Sequence, residues 1–144
     1  MATTALSTEP LITSSFTISP RGPFSLAESA TFGFGQRDGR DWDGVMRLAF
    51  CLDGYATQAA AIVRQDAGGG ARDAGGEVHL TAFAPSGTDL AAVQQQVLRA
   101  LSLDHDATEY VRIGQHDPVI GRLQGAAPGL RPPLFYSPYE AAAW

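Results

Sequence analysis

Residues that could do chemistry are few in this chain, and their spacing decides what each could do. Glycines cluster in GFGQRD from Gly33 and in GGGARDAGG from Gly68, and closely spaced glycines let backbone N–H groups approach an anion. The first cluster lacks the third glycine of a dinucleotide fingerprint. The second has no Lys-Ser or Lys-Thr after it and leads into a strand pattern, so both are loops on this reading. Metal ligation would need clustered His, Cys or carboxylate groups, and the nearest approaches are Asp104-His105-Asp106 and His116-Asp117. Adjacent residues rarely face one ion together. His79 falls on the outward face of a strand with no partner visible in the sequence, so all three histidines are expected to be solvent-facing polar residues and no metal is expected.

Nucleophilic acyl chemistry has no seat either. There is no G-x-S-x-G elbow, and the single Cys51, set in an apolar run without a recognisable His partner, is expected to be a small buried hydrophobe. Asp38, Asp41 and Asp43 lie in a loop rich in charge and glycine, where carboxylates stay solvated rather than acquiring the raised pKa of a general acid. The aromatics Phe32, Phe34 and Trp42 are more suggestive. Exposed in a loop after a helix, they could stack on a flat ligand such as a base; buried, they would cap the edge of the core.

These groups must be positioned by elements whose periodicity is plain. SFTISP makes a short strand with Phe16 and Ile18 on one face, after an N-terminal arm taken as residues 1–14. Ser25 and Glu28 form a capping-box pattern for a helix running toward Phe32. VMRLAFCL alternates, with Met46, Leu48, Phe50 and Leu52 opposite Arg47 and Cys51. AAAIVRQ follows an Asp53-Gly54 turn, and EVHLTAF places Val78, Leu80 and Ala82 together, so three sequential strands predict an antiparallel meander. AGGGARDAGG is a long hairpin tip on this pattern. Beyond PSGTD, Leu90, Val93, Val97, Leu98 and Leu101 form a helical stripe expected to cover the sheet, capped by Ser86 or Thr88. DHDATEYV and DPVIGRLQ are two short helices, the second with Asp117 as cap and Pro118 at its first position.

This order predicts an α+β domain over residues 15–103, a curved antiparallel sheet with helices on one face. Residues 104–144 then form connecting helices and the start of a helical domain. SPYEAAAW combines a Ser137 cap, Pro138 and Glu140 in a strong helix start, yet only about two turns follow, too few for an isolated helix. The remaining turns are expected on polypeptide beyond residue 144, and an unfinished apolar end of this kind could also pair with its own copy.

Composition narrows the function further. Hydrophobic residues make up 44% of the chain and no apolar run approaches the roughly 20 residues of a membrane span, so no membrane partner is expected. A lone cysteine and no secretory signal fit a cytoplasmic location. All ten basic residues are arginine, and fifteen acids leave a net charge of -5, a poor electrostatic footprint for a fragment that would bind DNA unaided.

The segments PRGPFSLAESATF, GVMRLAFCLDG, VLRALSLDHD and above all DPVIGRL, PGLRP and SPYEAAAW make the chain resemble the N-terminal part of bacterial 3-methyladenine DNA glycosylase II. The resemblance implies a first domain similar to one repeat of the TATA-binding protein, followed by a helix-hairpin-helix domain whose first long helix opens at SPYEAAAW. It implies removal of alkylated bases from double-stranded DNA by base flipping, with no cofactor and no metal. The family's catalytic aspartate and DNA-gripping hairpin would lie downstream, so no catalytic residue is assigned here. Alignment of PRGPFSLAESATF puts Phe32 at a base-pocket aromatic, where its π face would meet a cationic alkylated base. A standalone interaction module without glycosylase activity is the alternative, and a small metal or nucleotide enzyme using Asp104 to Asp106 or the glycine loops is a third class.

Overall fold

The computed structural model describes residues 10–32, 42–67, 75–131 and 134. Among them, one four-stranded antiparallel sheet is built from β1 (Leu11–Ile18), β2 (Val45–Cys51), β3 (Gln58–Gln65) and β4 (Val78–Pro85) in the order β1-β4-β3-β2. β2, β3 and β4 form the expected meander. β1 joins it beside β4, so the chain crosses from one sheet edge to the other between β1 and β2.

Alternation explains which face is buried. Met46, Leu48 and Phe50 of β2, Ala59, Ala61 and Val63 of β3, and Val78, Leu80, Ala82 and Ala84 of β4 all lie in the core. Phe16 and Ile18 of β1 pack against it at the edge. The strand begins earlier than its sequence pattern indicates: Leu11 to Ser14 pair with Pro85 to Ala82, inside the stretch taken as an arm. Leu11 and Thr13 are exposed while Ile12 and Ser14 are only partly buried, so the alternation here is weakly apolar, and pairing with β4 supplies what side-chain burial does not.

Two helices close this face, α1 (Leu26–Phe32) and α2 (Leu90–Ala100), giving the α+β architecture. Val93, Val97 and Leu101 of the α2 stripe are buried. Its N-cap is Asp89, whose carboxylate accepts the Ala91 N–H at 2.9 Å, and not Ser86 or Thr88. Those two residues are taken up in the Pro85–Thr88 turn, where Gly87 has φ 85° and the Thr88 N–H reaches the Pro85 carbonyl.

The last two helices, α3 (Tyr110–His116) and α4 (Pro118–Ala126), pack on each other. Asp117 caps α4 as its sequence dictates, accepting from Val119 at 2.7 Å and Ile120 at 3.1 Å, with Pro118 at the first turn. Their backbones meet at Gly114 and Gly121, where a Cβ on Gly121 would lie 2.6 Å from the Gly114 carbonyl oxygen. Ser137 to Trp144, Phe34 and the GGGARDA tip lie outside the described residues. No helix among the described residues is long and apolar enough to cross a membrane.

Candidate functional site

Phe32 closes α1 with 65% of its surface exposed. Trp42, by contrast, is partly buried against the core and lines a cleft of about 200 Å3 together with Ser25, Leu26, Ala27, Gly44, Gln65, Asp66 and Ala67. Phe32 is not part of that lining: Trp42 packs on the core edge, and Phe32 lies outside the cleft.

Several of the lining residues make polar contacts at the start of α1. Ser25 caps the helix through the Glu28 N–H at 3.2 Å, half of the capping box its sequence implies. The other half is diverted. Glu28 accepts the Gly129 N–H at 2.8 Å, while the Ser25 N–H donates to the Gly129 carbonyl at 2.8 Å, so the turn after α4 completes the cap that Glu28 would otherwise close. Gln65 fills the remaining gap: its Oε1 accepts the Leu26 N–H at 2.7 Å and its Nε2 donates to the Phe24 carbonyl.

Beside this junction lies Arg131, 4% exposed. Its Nε donates to Pro23, one terminal nitrogen to Ser102 and His105, and the other to Arg21 and Gly22, all at 2.7–3.1 Å and all to backbone carbonyls. The guanidinium carries five N–H donors, so its planar fork is saturated without a carboxylate partner. It also sits 5.7 Å from the Phe24 ring centroid. Burial pushes its pKa below the ordinary arginine value, opposed by the nearby Asp106 carboxylate, and the group remains a cation. Arg131 therefore ties the RGPF loop and the turn after α2 to the segment leaving α4. Nothing in its local sequence signals this, since the acceptors are backbone carbonyls from two distant loops.

The other sequence candidates separate. Asp43 chelates Arg47 at 2.8 Å, and this hydrogen bond, with the Val45 N–H, holds its carboxyl below the usual range, a surface ion pair rather than a poised acid. Asp104 stands 3.6 Å from His105, while Asp106 faces away to accept the Thr108 hydroxyl at 2.6 Å and N–H at 2.9 Å. The Asp104–Asp106 run therefore does not converge on one point. His116 lies in the last turn of α3. His79 does have a partner that the sequence did not reveal: its Nε2 is 2.9 Å from Asp66 Oδ2, because Asp66 lies opposite Glu77 across the base of the β3–β4 hairpin.

The Asp106 contacts carry a pH prediction. Both Thr108 hydrogen bonds favour the carboxylate, so its folded pKa lies below the ordinary 3.8. Its stabilising contribution is present above that ordinary value and is lost as pH falls through the lower folded one. A 13C carboxyl titration is expected to place Asp106 below 3.8, and Thr108→Ala to move its midpoint upward. An unchanged midpoint in the variant would reject this cause.

α3 and α4 also present exposed apolar side chains. Neither helix has a buried residue, and Tyr110, Val111, Ile113, Val119 and Leu123 are each 42–58% exposed. Comparison with known protein families, with curated proteins and with solved structures finds no match to this chain.

Proposed function

We propose that residues 1–144 form the N-terminal accessory domain of a cytoplasmic DNA base-excision-repair glycosylase that removes alkylated bases of the 3-methyladenine type by base flipping. The catalytic aspartate and the DNA-gripping hairpin belong, on this reading, to a helical domain on further polypeptide, and Phe32 contributes an aromatic wall to the base pocket. The exposed apolar side chains of the α3–α4 pair carry the proposal. Five partly exposed apolar side chains on a helical pair that buries none of its own residues offer a seat for further helices. The pair includes the DPVIGRL segment, one of the most specific parts of the resemblance, and Phe32 stands exposed at the end of α1 as a base-stacking residue requires.

The same exposed side chains also favour a second reading, a standalone interaction module whose partner is another protein or a second copy. Release of 3-methyladenine from methylated duplex DNA separates the two. Residues 1–144 alone are expected to release none, while the longer polypeptide encoded by the same reading frame releases it. Phe32→Ala in that polypeptide lowers kcat/KM about tenfold, the scale of one lost base–aromatic stack. Excision by residues 1–144 alone, or a reading frame with no helix-hairpin-helix and aspartate, would overturn the glycosylase reading; the second outcome leaves the interaction module.

A further inference from the structure

The base of the β3–β4 hairpin brings together Asp66, Glu77 and His79, the only group of three such ligands among the described residues, their donor atoms all within 4.8 Å of one another. The register explains the convergence. Gln65 pairs with Val78, which puts Asp66 opposite Glu77, and the Asp66 N–H donates to the Glu77 carbonyl at 2.9 Å. His79 lies two residues beyond Glu77 in the pleat and so shares its face, while Val78 between them is buried.

Two of the three side chains, Glu77 and His79, are also held from outside the group. Ser19 Oγ donates to Glu77 Oε1 at 3.3 Å, and Thr17 Oγ1 lies 3.4 Å from His79 Nδ1. With its proton on Nε2, His79 donates to Asp66 Oδ2 at 2.9 Å; with the proton on Nδ1, toward Thr17, the Nε2 lone pair faces that carboxylate and a cation takes the place of the proton between them. A threonine hydroxyl on the far ring nitrogen is the kind of outer contact that orients a metal-bound imidazole.

We propose that Asp66, Glu77 and His79 bind one divalent transition ion of the zinc type, which clips the base of the β3–β4 hairpin. One imidazole with two carboxylates suits such an ion better than calcium, which takes six to eight oxygens. Ligands on a tetrahedral zinc stand about 3.4 Å apart for metal–ligand bonds of about 2.0–2.2 Å, so the widest pair need close by at most about 1.4 Å while the His79–Asp66 pair, at 2.9 Å, opens by about 0.5 Å. The exposure of the Asp66 and His79 side chains, 61% and 43%, leaves them free to do so. Arg64, opposite His79 in the register, makes no ion pair with the three among the described residues.

Titration of the 144-residue chain with ZnCl2, followed by calorimetry and by the histidine ring resonances, tests the site. One zinc per chain is expected, with the His79 ring resonances shifting and those of His105 and His116 unmoved. Affinity falls at least tenfold in His79→Ala and in Asp66→Asn, and the zinc-induced rise in melting temperature disappears in both. Glu77→Gln serves as a third variant should either of these fail to fold. CaCl2 in excess does not displace the zinc. No saturable binding, binding of equal affinity in His79→Ala, or shifts confined to His105 or His116 would overturn the proposal.

Discussion

Arg131→Met is expected to lower the melting temperature by about 10–20 °C, from a loss of about 3–5 kcal/mol, the scale of several buried carbonyls left together without their donors. Methionine keeps much of the stem and deletes the head. What is lost is the fork that satisfies carbonyls of Arg21, Gly22, Pro23, Ser102 and His105 together. Arg21 O keeps the Ala107 N–H at 3.0 Å, so that end of the junction is weakened less than the others. Arg131→Lys is expected to recover only a minor part, because an ammonium has three donors and no planar fork. Thermal and urea denaturation check the pair. A loss below about 1 kcal/mol for Arg131→Met would mean that the carbonyls rehydrate and the junction is not held by this side chain.

Gly129→Ala is expected to cost about 2–4 kcal/mol, from backbone overlap and the loss of two hydrogen bonds. A Cβ at this position would lie 2.5 Å from the Ser25 nitrogen and 2.8 Å from the Phe24 carbonyl carbon, both backbone atoms that cannot rotate aside. The turn after α4 must therefore withdraw from the start of α1, breaking both the Ser25 N–H to Gly129 bond and the Gly129 N–H to Glu28 bond. Urea unfolding measures the cost, and faster amide exchange at Ser25 and Gly129 locates it. Glu28→Gln is the milder control, since it weakens one bond by removing charge and leaves the backbone approach intact.

Both predictions concern the junction that carries the chain from the sheet domain toward α3 and α4. On the proposed function, that junction fixes the seat of a following helical domain relative to Phe32. The stability measurements test the junction itself, whatever the chain acts on.

Much of the fold was legible in the residues. Met46, Leu48 and Phe50 alternate, Val93, Val97 and Leu101 recur at helical spacing, and Asp117-Pro118 caps α4 as written. In each case the relevant neighbours lie within a few residues, and the periods of 2 and 3.6 are set by backbone geometry before any tertiary contact forms. The cap of α2 was less legible, because Ser86, Thr88 and Asp89 are all capable caps and the tight turn after β4 claims the first two.

The candidate sites were legible only in part. Phe32 could be singled out as an aromatic at a helix end, but its separation from the Trp42 cleft follows from where α1 lies over the sheet. His79 met Asp66 only once the hairpin register was set. Glu28 looked like the second half of a local capping box and instead bonds a residue 101 positions away, and Arg131 reaches carbonyls up to 110 positions away. Residue type states how many hydrogen bonds such a group must make. Which distant backbone supplies them depends on how the whole chain closes on itself, since any carbonyl brought to the right place is chemically equivalent to any other.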